Sequence, residues 1–316
     1  MTLSLRQQES VRAAIRRIVH ARIDAAVHLL RKQPNAGAQD RVHEARKQLK
    51  QVRALFQLLR PEIGRKRCTR ADHRLREVTR SLSPLRDATV LLQTLRQLCR
   101  TGALSTTSLS RLQSGLHSRR RKSNPEVIQQ QLRTLRKTAR QIARWNFSHR
   151  GWKALEPGLR RVYRAAREAG VAAATLGAVV GRRGVTRTGN AGQGTAGGDG
   201  RNEILHESRK RAKDLRYALE FLQRVQPRTL LPRIRALHRL TDLLGKDHDL
   251  AVLETSLGAG LSGSLPSSEV LLLRSTVAYQ RSSLQALASR LARNVYAQDE
   301  ISFVREIHRH WRRWRD

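Results

Sequence analysis

The sequence predicts an all-α protein with an internal duplication, and three observations predict it. Apolar residues recur at helical spacing along nearly all of its 316 residues. One helical stretch, HEARKQLKQVRALFQLLRP from His43, returns 163 residues later as HESRKRAKDLRYALEFLQRVQP from His206. A second echo then follows each first one. LREVTRSLSPLRDATVLL from Leu75 aligns without a gap with LHRLTDLLGKDHDLAVLE from Leu237, which matches Leu82 to Leu244, Arg86 to His248 and Asp87 to Asp249. Two ordered matches in each half mark a duplicated unit.

The elements follow in order. Ser4 with Gln7 has the form of a capping box, and the first helix is expected through VRAAIRRIVHARIDAAVHLL to about Lys32. Asp40 is placed to cap the first motif helix and Pro61 to end it. A helix over about 66–82 meets Ser83-Pro84, and another is expected from about Leu85 to Arg100. The polar TGALSTTS precedes a helical pattern over about 108–144, interrupted near Asn124-Pro125. The second half begins near Gly151, where WKALEPGLRRVYRAAREAG is the counterpart of the first helix. Residues 177–200 then hold 9 of the chain's 20 Gly, where the first half has only QPNAGAQD. They lack the G-x-x-x-x-G-K-[ST] pattern of a phosphate loop, so the tract reads as a flexible insertion. The terminal EIHRHWRRWRD reads as a basic helix that either docks through Trp311 and Trp314 or lies at a membrane interface.

The two motif helices carry the candidate chemistry. Each His is followed by Arg at +3, Lys at +4, Lys at +7 and Arg at +10: His43, Arg46, Lys47, Lys50 and Arg53, then His206, Arg209, Lys210, Lys213 and Arg216. At 100° per residue these positions share an arc roughly 120° wide. An apolar seam runs beside each arc, through Val42, Ala45, Leu49, Val52, Phe56 and Leu59 and through Leu205, Ser208, Ala212, Leu215, Leu219 and Leu222. The stripes are centred about 130° apart. Burying the seam therefore sets the basic arc along the flank of a bundle, where a groove forms. A merely solvated helix face usually alternates Glu and Lys at i, i+4, whereas acids are nearly missing from these arcs. Arg can grip two phosphate oxygens at once and Lys supplies a compact charge. Arg160, Arg161, Arg164 and Arg167 add another cationic face.

A His followed by Arg and Lys at helical spacing, found twice in tandem, resembles the CHAD family, the conserved-histidine α-helical domain. The likeness covers nearly the whole chain, from about residue 5 to about 315. It implies two four-helix halves, 5–149 and 150–316, related by a pseudo-twofold axis, with the basic helices lining a central channel. It also implies binding of inorganic polyphosphate, for which the ten motif residues with Arg160, Arg164, Arg167 and Tyr217 are the candidate contacts. Members are often fused to a triphosphate-handling CYTH domain, but its alternating Glu signature has no counterpart here, since no Glu-x-Glu occurs.

Composition points the same way independently. With 63 Lys and Arg against 25 Asp and Glu, the formal charge is +38, which calls for a polyanionic partner. Single-stranded nucleic acid is normally held on aromatic platforms contributing about 1–3 kcal/mol per stacked base. Aromatics are only 4% here, and Tyr217 alone sits in the basic stripes. No duplex-docking motif is evident, so a base-free phosphate polymer fits best, with a nucleic-acid-associated basic protein as the alternative and a polyphosphate- or triphosphate-processing enzyme as the third reading. The motif histidines are expected to donate hydrogen bonds to phosphate, more strongly as pH falls. His43, His206, His238, His248, Asp247 and Asp249 have no metal-binding spacing. No metal or cofactor is therefore expected, and the carboxylates are too isolated for phosphoryl chemistry. Asp87 and Asp249 are read as N-caps or as ion pairs orienting a basic side chain. Two cysteines, Cys68 and Cys99, suit a reducing compartment. The longest uncharged run, Gly170 to Gly181, has 12 residues and is too short to span a bilayer, and no hydrophobic signal region opens the sequence. The expected setting is the cytoplasm, at polyphosphate granules.

Overall fold

The computed structural model describes residues 3–31, 38–82, 84–118, 125–183 and 195–315. These contain eleven α-helices, one 3₁₀ turn and no strand. In chain order they are α1 (Val11–Arg31), α2 (Ala38–Ile63), α3 (Arg65–Ser81), α4 (Pro84–Arg100), α5 (Thr106–Ser118) and α6 (Pro125–Ala143). There follow α7 (Gly151–Arg183), α8 (Thr195–Leu222), α9 (Pro227–Gly258), the 3₁₀ turn Leu261–Ser264, α10 (Ser267–Val295) and α11 (Glu300–Arg315). Among the described residues no helix is long and apolar enough to cross a membrane.

The helices close into rings. α1 packs on α2, α2 on α3, α3 on α6, and α6 back on α1; α7, α8, α9 and α10 close a second ring in the same order. α2 joins the rings by packing against both α7 and α8, and α11 covers α7. One apolar core runs through both rings, from Ile15 and Ile18 through Leu55 and Phe56 to Phe221 and Phe303. The two apolar seams are what enter it. Ala45, Leu49, Val52, Phe56 and Leu59 are buried, as are Leu205, Ala212, Leu215, Leu219 and Leu222. A satellite core joins α4 and α5 to the far ends of α9 and α10, through Leu95, Leu98, Leu112, Leu253, Leu273 and Val277. The first half spends two helices, α3 and α4, where the second has the single α9. The alignment opposes Ser83-Pro84 to Gly245-Lys246, and a residue before proline is steered away from helical backbone.

Several local expectations are corrected. The N-terminal cap is Ser10, whose Oγ accepts from the amide of Ala13 at 3.2 Å, and the Ser4–Gln7 box does not form: α1 starts only at Val11. Ser4 instead lies buried, its carbonyl accepting from Arg17 Nη2 at 3.0 Å. α2 passes through Pro61 and stops before Gly64, whose φ of 94° suits a residue without a Cβ. Helices enter the Gly-rich tract from both sides, α7 as far as Arg183 and α8 from Thr195; residues 184–194 lie outside the described set. Of the two readings of the C-terminal helix, docking is the one observed. Trp311 is buried and His308 stacks on Trp152 with ring centroids 4.9 Å apart. Arg315 lies over Trp311 and donates to the carbonyl of Glu9 at 2.7 Å, closing the end of the chain onto its beginning.

The junction between the rings turns on one missing side chain. A Cβ on Gly158 of α7 would stand 1.5 Å from the carbonyl oxygen of Leu58 on α2, so only glycine permits this crossing. Gly158→Ala is expected to destabilise the protein by about 2 kcal/mol, because overpacking typically costs about 1–3 kcal/mol and here must also outweigh the gain of about 1 kcal/mol in helix propensity. Urea unfolding checks this, and an unchanged or higher midpoint would place α7 farther from α2 than the structure does.

Candidate functional site

α2 and α8 pack side by side, and because their seams are buried the adjoining basic arcs face a common groove of about 810 Å³. α3, α4 and α9 complete its walls. From α2 come Arg46, Lys50, Arg53, Gln57 and Arg60, and from α8 His206, Arg209, Lys210, Arg211, Lys213, Asp214 and Tyr217. α3 adds Asp72, Arg76, Thr79 and Arg80; α4 adds Val90; α9 adds His248, Asp249 and Val252. Val90 and Val252 are aligned partners in the second echo, so both echoes contribute to the same groove. Its lining holds ten Lys and Arg against three Asp.

Eight of the fourteen residues proposed from sequence line this groove: Arg46, Lys50, Arg53, His206, Arg209, Lys210, Lys213 and Tyr217. The other six do not. His43 and Lys47 are exposed on the neighbouring face of α2, with Lys47 beside Glu44 at 3.4 Å. Arg216 is buried, lying 4.5 Å over the ring of Tyr217 and 3.7 Å from Glu220. Arg160 pairs with Glu156 at 2.9 Å, Arg164 reaches Glu168 at 4.0 Å, and Arg167 donates to the carbonyl of Tyr296 at 3.3 Å. The one arginine of that face near the groove is Arg161, which donates to the backbone carbonyl of Gln57.

The reason is rotational. Counted at 100° per residue from each His, the groove-lining positions of α2 span about 80°, those of α8 apart from Arg211 span about 140°, and the two arcs are centred about 70° apart. Equivalent positions in the duplicated helices therefore meet different surroundings. Arg53 enters the groove while its match Arg216 is turned into the core; Lys210 enters while its match Lys47 is turned out.

The groove is less free of acid than the arcs suggest. Asp72, buried on α3, accepts from Arg53 at 2.7 Å and pairs with Arg76 at 2.6 Å, which fixes both guanidinium groups. Arg46 donates through Nη1 to the carbonyl of Thr79 at 2.7 Å. Glu207 holds Lys210 at 2.8 Å and Arg211 at 2.6 Å. Gly245 on α9 leaves space for Arg209, whose Nη2 would lie 2.8 Å from any Cβ there. Asp249 lies inside α9 and is therefore no N-cap; it stands in the groove wall, whereas the Asp87 side chain lies outside the described residues.

Two histidines and one carboxyl of the groove are displaced from their ordinary values. Burial, then the charge of Arg209 nearby, pushes the His248 imidazole down to about 4. Its ring lies 5.1 Å from that of His206, which is lowered by burial and by Arg209 and Lys210. Burial raises the Asp214 carboxyl to about 6 against the pull of Arg211. Sequence reasoning passed over Arg60, Arg76, Arg80 and Arg211 and placed His248 only among possible metal ligands. Gln57 and Arg60 were legible, since they continue the i+4, i+7 stripe from Arg53. Asp72, Arg76 and Arg80 belong to another helix, and no pattern within α2 or α8 points to them. Among the described residues no three His, Cys, Asp or Glu side chains converge as metal ligands would.

A family model for the CHAD domain matches residues 21–258, a span that holds both motif helices and both second echoes. The crystal structure of the CHAD domain from the plant Ricinus communis superposes with a TM-score of 0.53, covering 98% of this chain and 95% of that one at 16% identity, a likeness of fold. No curated protein matches the chain.

The displaced groups set the pH response of any bound polyanion. Its negative field raises the pKa of His206, His248 and Asp214 above their values in the free protein, so binding takes up protons. Affinity is therefore expected to rise as pH falls from 8 to 5.5, with proton uptake measurable by titration calorimetry in buffers of different ionisation heat. His206→Gln with His248→Gln should flatten much of that dependence, and an unaltered pH profile in the double variant would remove the histidines from the site.

Proposed function

The chain belongs to the CHAD family, and from that premise we propose that it binds inorganic polyphosphate in the groove between α2 and α8. The observation that carries this reading is the excess of ten cations over three carboxylates in one concave site. Cations drawn from α2, α3 and α8 surround a channel that suits an unbranched phosphate chain, and the cavity is too small to admit a nucleic-acid duplex. Single-stranded nucleic acid is disfavoured too. Tyr217, the one aromatic in the lining, is buried with Arg216 across its ring, so it offers no open face for a base to stack on.

The groove reads as a binding site and not as a catalytic one. Asp72 is committed to Arg53 and Arg76, and Asp214 stands 3.9 Å from Arg211, so these two carboxylates have a structural role beside cations. We further assign the protein to the surface of cytoplasmic polyphosphate granules, where a strongly cationic binder would reside.

Contacts of this kind release condensed counterions. Log affinity should fall linearly with log salt, by roughly 0.7 per phosphate contact for a flexible single chain. Lys50→Gln with Lys213→Gln removes two groove cations while keeping helix propensity, and is expected to weaken binding and make the slope shallower by about 1.4. Ligand linkage should also raise the thermal midpoint, with about 2.7 kcal/mol available at a hundredfold excess over Kd. Displacement of labelled polyphosphate by unlabelled polyphosphate, duplex DNA and RNA at matched charge and salt tests the assignment. Equal displacement by all three would favour a general polyanion binder, and unchanged affinity in the double variant would leave the groove without its function.

A further inference from the structure

α3 carries arginines on two faces. Arg76 and Arg80 look into the groove, whereas Arg67, Arg70 and Arg74, at i, i+3 and i+7, line a separate cleft of about 300 Å³ between α3 and the end of α6. Arg144, Gln141 and Asn146 form its other side, over a floor of Ala71, Ile142 and Trp145. No carboxylate lines the cleft, and among the described residues none of its four arginines has an acidic partner.

The amides sharpen the selectivity. Gln141 Oε1 accepts from Arg74, and Asn146 Oδ1 accepts from Arg12 Nη2 at 2.7 Å. With both acceptor oxygens occupied by guanidinium groups, each amide has its NH₂ left to donate. The Thr138 hydroxyl donates away from the cleft, to the carbonyl of Thr134 at 2.8 Å. The rim is thus a set of donors around a small concave pocket. Such a lining accepts an oxygen-rich anion and rejects cations and neutral hydrogen-bond donors.

We propose that this cleft is a second phosphate-binding site, sized for a short linear oligophosphate: either a free one or a stretch of a polymer whose remainder is held in the groove of another molecule. Only the identity of the anion rests on the groove's reading as a polyphosphate site; the cleft's own chemistry does not. Two separated sites on one chain make the protein bivalent toward a polymer, so it links polyphosphate chains to one another as well as coating them.

Calorimetric titration of the full chain with tripolyphosphate is expected to give two sites per chain. Arg67→Gln with Arg70→Gln alters two exposed side chains that make no hydrogen bond or ion pair among the described residues, so circular dichroism should be unchanged while the stoichiometry falls to one. With long-chain polyphosphate the parent should scatter light as linked assemblies, whereas this variant should bind with parental groove affinity and lose most of the scattering. One site in the parent, or unchanged stoichiometry and scattering in the cleft variant, overturns the proposal. The groove variant Lys50→Gln with Lys213→Gln separates the two claims. If it loses the stronger binding while the cleft variant behaves as the parent, the cleft fails and the groove stands. If the cleft variant alone changes, the cleft stands and the groove reading falls.

Discussion

Burial of two apolar seams on one core is the constraint from which the site follows. The seams of α2 and α8 cannot both be buried without bringing their neighbouring stripes of Arg and Lys into one cleft. Two like charges about 4 Å apart repel by about 1 kcal/mol in water and about 4 kcal/mol at the effective dielectric of a protein surface. Hydrophobic burial, at about 25 cal/mol per Å², is large enough across a core of this extent to impose that repulsion. Free, the protein therefore holds its cations in an arrangement that a polyanion relieves. The crossing of α2 and α7 at Gly158 belongs to the same constraint, because it brings the second ring close enough for Arg161 to reach the backbone of Gln57 beside the groove.

The acids now have a clear part. Asp72 is buried among cations and bonds two of them, so it reduces repulsion where α2 and α3 meet and holds Arg53 and Arg76 in fixed directions. Glu207 does the same for Lys210 and Arg211 along α8. These pairs leave the groove positive, since the cations still outnumber the lining carboxylates by more than three to one. They trade some attraction for preorganisation, and a side chain already held in place loses less entropy when an anion binds.

Much of this was legible in the chain itself. Periodicity located the helices, the seams identified the buried faces, and the repeated His-Arg-Lys order singled out the two helices that form the groove. What was not legible depends on rotation and on partners. The 120° arc was right in direction and too wide, because which part of it faces the groove is decided by the neighbours of each helix. Those neighbours differ between α2, packed on α1, α3, α7 and α8, and α8, packed on α7, α9 and α2. Hence Lys47, His43 and Arg216 fall outside a site that their counterparts Lys210, His206 and Arg53 enter. Arg160, Arg164 and Arg167 lie on α7, which contributes no lining residue to the groove, and each meets a nearby carboxylate or carbonyl. The contribution of α3 could not be read from the motif at all, since it arises from a helix distant in sequence.

Divergence between the halves also gives the groove two unlike walls. On α3, Arg76 and Arg80 face inward; their aligned partners on α9, His238 and Asp242, pair with each other at 2.7 Å on the surface and add nothing to the groove. The wall from α2 and α3 thus carries Arg46, Lys50, Arg53, Arg60, Arg76 and Arg80, with Asp72 the one acid in its lining. The wall from α8 and α9 carries four cations together with His206, His248, Asp214 and Asp249; burial lowers both imidazoles and raises the Asp214 carboxyl to about 6. One wall is thus almost wholly cationic, and the other mixes cations with imidazoles and carboxylates. The duplication supplied two copies of one basic helix, and the different helices packed around each copy turned them into walls with different electrostatic duties.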